Sequence, residues 1–295
     1  MRWTLWIAFV VLCVLSGTSW AIPREMSDGL PPLEQQGVLF GAIGLTALSF
    51  GGRRGWSRKM DLRYVRLAAA AMGFFGVPIV VAEYARGSVP AISRSALFAM
   101  VPVVVVMVVA AGESAERGAR LFLMPALAGL GGLLLLLPLA FSSSARGWMM
   151  LAVVCAAVIL VGLASVWLYR LLRGVALADA LAVVGLANAV FLLVWSAVRE
   201  EVVWRGNRLA SVISIASLTD VVEVLLITWL LREMPPIRFA ARYLVISLLT
   251  VLESYVVMRP EWTVRMGFGT ALLAAGGGML LFLQGGEEET VLSLR

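Results

Sequence analysis

The chain has 295 residues, of which 61% are hydrophobic and only 14% charged, and its mean hydropathy is +0.94. A soluble domain carries roughly a quarter charged residues, so this composition excludes a water-soluble protein. The net charge of +6 fits arginines in the loops of a membrane protein, and we predict no nucleic-acid partner. The composition therefore predicts an all-α polytopic membrane protein embedded in a lipid bilayer.

Two residue types limit the chemistry that the chain can perform. It contains no histidine, which excludes His-based acid–base catalysis, His-activated nucleophiles and His ligation of metal. The two cysteines, Cys13 and Cys155, lie far apart inside apolar runs and form no metal-binding or disulfide pattern. We therefore predict no enzyme activity, no catalytic residues, no metal and no cofactor.

Ten stretches are close in length to the roughly 20 apolar residues that a helix needs to cross the hydrocarbon core. Clusters of Arg, Pro, Gly or Ser separate them and mark the turns. Long continuous apolar runs favour helices over a barrel, because backbone groups in lipid must be satisfied within the segment. The weakest is the second, whose apolar part is short and rich in glycine. The ten predicted spans are 4–22, 34–51, 67–86, 91–111, 119–140, 148–169, 175–198, 209–231, 239–258 and 263–284.

The first span imitates a secretory signal, since Arg2 precedes it and Ser19-Trp20-Ala21 ends it with small residues. The pattern continues without interruption beyond Ala21, so we expect residues 1–21 to be retained.

Ten spans place both termini on one side of the membrane. With that side inside, 15 of the 24 basic residues lie in inner loops and tails and nine lie in outer loops. Most of the excess comes from the loop 53–66. The positive-inside rule therefore predicts a multi-pass protein of the cell (inner) membrane with both termini in the cytoplasm.

The two halves of the sequence are alike at an offset of about 145 residues. Pro90-Ala91-Ile92 and Pro235-Pro236-Ile237 each precede a long apolar run, and each half ends in a stretch rich in Ala and Gly. Five spans per half is an odd number, so the second copy enters the membrane from the opposite side, as in many secondary transporters. The predicted divisions are a first repeat at 1–141, a second repeat at 142–285 and a short acidic cytoplasmic tail at 286–295.

Three stretches resemble the EamA-type transporters of the drug/metabolite transporter superfamily. Residues 15–32, which end in Leu-Pro-Pro, are similar to the first span and first loop of that family. Residues 84–113 are similar to its third-to-fourth helix passage, which ends in Gly-Glu, and residues 261–281 to the end of its second repeat. The resemblance implies ten helices in two inverted five-helix EamA repeats, and usually the export of small metabolites, amino acids or drugs.

Asp220 is the most informative polar position, at the middle of the predicted span 209–231 and about 16 Å from either end. A carboxylate there costs about 2.5–3.5 kcal/mol, and Glu223 follows on a neighbouring face. We predict that both acids face a central cavity, with Ser214, Ser217 and Thr228 on the same half of the helix. Asp220 would bind a proton or a substrate ammonium group, or the two acids would share one proton. The alternative is a buried, permanently protonated acid that is hydrogen-bonded to a neighbouring helix, or an ion pair with an arginine such as Arg94.

Three further residues are candidates for the cavity wall. Asn188 lies in the middle of span 175–198, where an amide is either a ligand or a link between helices. Trp195 and Tyr84 either line a pocket for an amphipathic substrate or anchor their spans at the membrane surface. Stripes of small residues are interpreted as packing within the chain, so a monomer is favoured over a homodimer.

These observations predict a secondary active transporter that moves small organic solutes, with proton coupling as a hypothesis motivated by Asp220 and Glu223. The alternative is a membrane-embedded binding or structural subunit that has an EamA-like fold and does not transport.

Overall fold

The computed structural model describes residues 3–19, 30–51, 62–112, 119–137, 143–199, 215–259, 261 and 263–283. Every regular element within these ranges is a helix, which confirms the all-α prediction for this part of the chain. The helices follow from the long apolar runs, because in lipid only an α-helix satisfies the backbone of a single segment. The α-helices are α1 (Trp3–Thr18), α2 (Pro32–Gly51), α3 (Leu62–Ala71), α4 (Val77–Ala85), α5 (Ala91–Phe98), α6 (Val101–Ala110), α7 (Leu123–Leu136), α8 (Ala145–Leu172), α9 (Leu177–Arg199), α10 (Ile215–Glu233), α11 (Pro236–Ala240), α12 (Arg242–Met258) and α13 (Val264–Phe282).

Two short segments modify this pattern. A π-helical turn, Met72–Gly76, joins α3 to α4, so that Leu62–Ala85 forms one helical segment of 24 residues. A 3₁₀ turn, Ala119–Phe122, leads into α7. Local π-helical turns inside α-helices are uncommon and often accompany functional sites.

The chain forms two compact units, each assembled from two separate stretches. Unit one comprises Met1–Tyr84 and Trp167–Glu233, and unit two comprises Ala85–Val166 and Met234–Arg295. Each unit therefore takes segments from both predicted repeats. The predicted boundary between the two sequence repeats, at residues 141 and 142, lies outside the described ranges, so it stays a prediction.

In unit one, α2 and α9 form the closest helix pair. A Cβ added to Gly185 would lie 2.5 Å from Cα of Gly44, and one added to Gly44 would lie 2.7 Å from the backbone nitrogen of Leu186. Gly37 similarly abuts Leu193, so the helices run antiparallel with contact along most of their length. Glycine at these positions lets two backbones approach closely, which is how helices associate in lipid.

In unit two, α7 and α13 pack in the same manner. A Cβ on Gly276 would lie 2.5 Å from the backbone nitrogen of Gly129, and one on Gly132 would lie 2.6 Å from the carbonyl oxygen of Gly269. Nε of Arg265 donates a 2.6 Å hydrogen bond to the carbonyl of Leu135, one of the last carbonyls of α7. That bond satisfies a carbonyl that the helix end leaves open.

Six described helical segments are long and apolar enough to cross a membrane. They are Leu62–Ala85, Ala91–Ala110, Ala145–Leu172, Leu177–Arg199, Pro236–Val257 and Val264–Phe282. Each coincides with a predicted span, and the chain is accordingly a multi-pass membrane protein by length and composition. The other four predicted spans also contain helix, but α1 and α7 are short, α2 has three consecutive polar residues at 34–36, and α10 carries four charged residues.

Two predicted spans contain breaks. The span 91–111 is divided into α5 and α6 at Ala99 and Met100, just before Pro102 in the first turn of α6. The span 239–258 is divided at Ala241, between α11 and α12. The start of the predicted span 209–231, up to residue 214, and the tail 286–295 lie outside the described residues.

Candidate functional site

All six residues predicted from the sequence to bind substrate or protons belong to unit one. Tyr84 lies on α4, Asn188 and Trp195 lie on α9, and the remaining three, Ser217, Asp220 and Glu223, lie on α10. The structure brings Tyr84 and Trp195 into contact, and it joins Asp220 to a residue of α2 that was not among the candidates.

Asp220 accepts a hydrogen bond from Gln36. The Nε2 of Gln36 lies 3.3 Å from Oδ2 of the half-buried Asp220 carboxylate. Gln36 is in the second turn of α2, about 6 Å along the axis from Pro32. Asp220 is therefore level with the polar beginning of α2, where Glu34 is also buried, and not with its apolar middle. The position of this acid midway through the membrane stays a prediction.

The other polar residues of α10 have different surroundings. Ser217 is buried, Glu223 is half-buried, and Thr228 is buried with its hydroxyl donating to the carbonyl of Val224 at 2.8 Å. A threonine hydroxyl bonded one turn back is satisfied within its own helix, so Thr228 is not free to bind a solute. Ser214 lies outside the described residues.

Three aromatic side chains, Tyr84, Phe191 and Trp195, form a group that we call the aromatic cluster. The ring centroids of Tyr84 and Trp195 lie 6.0 Å apart at an interplanar angle of 78°, and those of Phe191 and Trp195 lie 6.4 Å apart at 68°. Edge-to-face geometry of this kind is favourable for aromatic pairs. The guanidinium carbon of Arg199 lies 5.1 Å from the centroid of the Tyr84 ring, within the range of a cation–π interaction.

Asn188 lies about two helical turns before Trp195 on the same face of α9. Its side chain is fully buried, at 0% exposure, and Nδ2 donates to the carbonyl of Val184 at 2.8 Å. Oδ1 accepts no hydrogen bond from any described residue. A Cβ added to Gly76, the last residue of the π-helical turn, would lie 2.8 Å from that oxygen. Glycine at position 76 therefore leaves the space that the amide of Asn188 occupies.

Sequence analysis did not select Gln36, Phe191 or Arg199. Gln36 and Arg199 stand near the ends of their spans, where polar residues are ordinary. One signal was available: Asn188, Phe191, Trp195 and Arg199 recur at spacings of three or four residues and therefore share a helix face.

The arrangement offers hydrogen-bonding groups, charges and aromatic surface, which suit recognition of a small solute. Among the described residues, no group of three acidic or cysteine side chains is placed to hold a metal ion. The oxygen of Asn188 and the hydroxyl of Tyr84 are both buried and have no hydrogen-bond partner in the described part of the chain. Leaving such groups unpaired costs about 1–3 kcal/mol each, so they are available to a ligand that can pair with them.

No family model and no curated protein matches this chain. Among solved structures, the chain is similar to one described only as "Crystal structure of protein", with a TM-score of 0.71 and 17% sequence identity. The alignment covers 96% of this chain and 100% of that chain. This similarity concerns the fold alone and extends over nearly the whole length.

Proposed function

We propose that this chain is a secondary active transporter, of the EamA type, that exports small organic solutes across the cell (inner) membrane. Ten membrane-spanning helices in two inverted five-helix repeats would carry the solute past α10, with protons as the coupling ion. Both termini would lie in the cytoplasm, because most of the basic residues then fall in inner loops.

The observation that carries the proposal is the hydrogen bond between Gln36 and Asp220. Acids inside apolar helical bundles are costly and mark substrate or proton pathways in membrane proteins. Here the acid meets an amide from another helix of the same unit, within hydrogen-bonding reach and partly accessible. A partly accessible carboxylate of this kind can exchange a proton or bind a polar solute.

Three structural features support two similar halves. Each unit contains one antiparallel helix pair packed through glycines, α2 with α9 and α7 with α13. Pro90 and Pro235, about 145 residues apart, precede α5 and α11 with nearly the same backbone angles, φ −56° and ψ 152° against φ −53° and ψ 142°. Phe98 and Tyr243, separated by the same offset, stack with centroids 6.5 Å apart in unit two. Contact between matching positions is expected close to an axis that relates two repeats.

The test is transport by the purified protein in proteoliposomes. Uptake of ethidium and of a mixture of radiolabelled amino acids is measured with and without an imposed pH gradient. We expect the gradient to drive uptake of at least one probe, and Asp220→Asn to abolish the gradient-driven part. The control is Glu233→Gln, which removes an exposed carboxylate paired with Arg232 on the same helix, and its uptake should equal that of the native protein.

Uptake that is indifferent to both the pH gradient and Asp220→Asn would refute proton coupling through this residue. Absence of any uptake beyond that of empty vesicles would favour the non-transporting membrane subunit.

A further inference from the structure

One end of the aromatic cluster carries two hydrogen-bond donors that have no acceptor among the described residues. The hydroxyl of Tyr84 is buried and makes no hydrogen bond to any described residue. The guanidinium of Arg199 rests against the Tyr84 ring, and no carboxylate of the described chain lies in ion-pair contact with it. The guanidinium of Arg199 is a cation, and the hydroxyl of Tyr84 is a neutral hydrogen-bond donor. Together they favour a negatively charged acceptor, and a carboxylate can accept a hydrogen bond from each.

Beyond the opposite end of the cluster, Asn188 carries an acceptor that has no donor among the described residues. Oδ1 of Asn188 lies about 10 Å along α9 from the level of Trp195, since seven residues separate them. An N–H group of a ligand would complete this buried oxygen. Between the two ends lie the rings of Phe191 and Trp195, which are partly exposed and suit an apolar or aromatic body.

Two acidic residues in the described part of unit one have interactions of their own. Asp220 already accepts a hydrogen bond from Gln36, and Glu83, which precedes Tyr84, has an interaction of its own. Among the described residues, Arg199 is the charged group that rests directly on the cluster, and its charge is positive.

We propose that unit one binds an elongated organic carboxylate at the aromatic cluster. The carboxylate pairs with Arg199 and Tyr84, the apolar body lies on Trp195 and Phe191, and an N–H group at the far end donates to Asn188. This assignment rests on the proposed transport function, for which it names the substrate class. Because Asn188 is fully buried against Gly76, the ligand reaches it only when the π-helical turn and α9 separate locally.

The test is equilibrium binding to the purified full-length protein in detergent, with three matched probes. The probes are 3-(4-aminophenyl)propionate, which has both end groups, 3-phenylpropionate, which lacks the amine, and 4-propylaniline, which lacks the carboxylate. We expect the first to bind tightest, and each missing end group to weaken binding about 10-fold, the worth of one hydrogen bond to a charged or buried group.

Variants assign each end of the probe. Arg199→Gln should weaken both carboxylates about 10-fold and leave 4-propylaniline unchanged, while Arg199→Lys should restore part of the loss. Asn188→Leu should remove the advantage of 3-(4-aminophenyl)propionate over 3-phenylpropionate without changing the latter. Arg232→Gln, on α10 away from the cluster, is the charge control and should bind all three probes as the native protein does.

Equal binding of charged and uncharged probes, or indifference to Arg199→Gln in a protein with native thermal stability, would overturn the proposal. The outcome is separable from that of the transport test, because binding in detergent needs no gradient. Carboxylate binding without transport would contradict only the proposed transport function. Transport of other solutes without carboxylate binding would contradict only the proposed carboxylate site.

Discussion

Asn188 combines complete burial with an amide that is only half satisfied. Its Nδ2 donates to a carbonyl of its own helix, which already accepts within the α-helical pattern, while Oδ1 accepts nothing from the described residues. A buried acceptor without a donor costs more than the extra local bond returns. The residue is therefore expected to lower the stability of this conformation, which fits a side chain that is kept for binding.

This cost can be measured with substitutions of similar volume. Asn188→Leu removes both polar groups, and we expect it to raise the free energy of unfolding by about 1 kcal/mol, because the unpaired oxygen disappears. Asn188→Asp places a charge in the same buried position and should lower that free energy by several kcal/mol at neutral pH. Denaturant titration of the detergent-solubilised protein reports both changes. A loss of stability in Asn188→Leu would show that the oxygen of Asn188 makes a favourable hydrogen bond.

At the scale of single residues, the sequence identified the polar positions within apolar runs but not the partners of their side chains. Asp220 and Asn188 were recognisable because each interrupts a long apolar run. The hydrogen bond of Asp220 to Gln36 was not predictable, because it depends on which face of α2 meets α10. Arg199 was counted as a loop residue, and only the packing of α4 beside α9 places its guanidinium on the ring of Tyr84.

At the scale of helices, apolar length located the segments, and local packing decided their internal breaks. Described helix lies within all ten predicted spans, since burial in lipid requires it wherever the run is long enough. The π-helical turn Met72–Gly76 ends two residues before Pro78, and the break at Ala99 comes just before Pro102 in the first turn of α6, so a proline stands beside each irregularity. The glycines of α2 and α9 indicated that each helix can approach another helix closely. The apolar pattern alone does not identify the neighbouring helix.

The glycine contacts predict a strong contrast between positions. Gly44→Ala and Gly276→Ala each place a methyl group within 2.7 Å of backbone atoms of the neighbouring helix, so the helices must separate. We expect each to lower the free energy of unfolding by about 1–3 kcal/mol, as overpacked interiors do. Gly131→Ala is the matched control, because no atom lies within 4 Å of the added carbon. It should be neutral or stabilising by up to about 1 kcal/mol, since alanine is the better helix former.

Thermal unfolding of the three variants, with native protein alongside, measures this contrast. Equal stability of Gly44→Ala and Gly131→Ala would show that α2 and α9 do not approach as closely as their glycines allow.

At the scale of the whole molecule, two topologies share the same helices. Six of the described helical segments satisfy both the length and the apolar composition of a membrane span, whereas two inverted five-helix repeats require ten. The four additional segments are short or polar by themselves, so they can span only if their polar groups face protein. That condition holds for Asp220 of α10, which meets Gln36 of α2. Two of the weak segments thus satisfy each other, which favours their insertion together.

The two topologies differ in where residue 144 lies. Five spans precede Ser144 if all ten segments cross the membrane, and only two if the six strongest cross alone. Alkaline phosphatase, which is active only outside the cytoplasm, and green fluorescent protein, which fluoresces only inside, are fused after Ser144, after Val89 and at the C-terminus. Both topologies place Val89 on the side opposite the N-terminus, and both place the C-terminus on the same side as the N-terminus, so these two fusions are controls.

With the N-terminus inside, we expect phosphatase activity after Ser144, because an odd number of spans inverts the second half. Fluorescence at Ser144, with both controls behaving as stated, would contradict the inverted repeat. It would also leave α2 and α10 outside the bilayer, where a hydrogen bond between Gln36 and Asp220 would have no transport role.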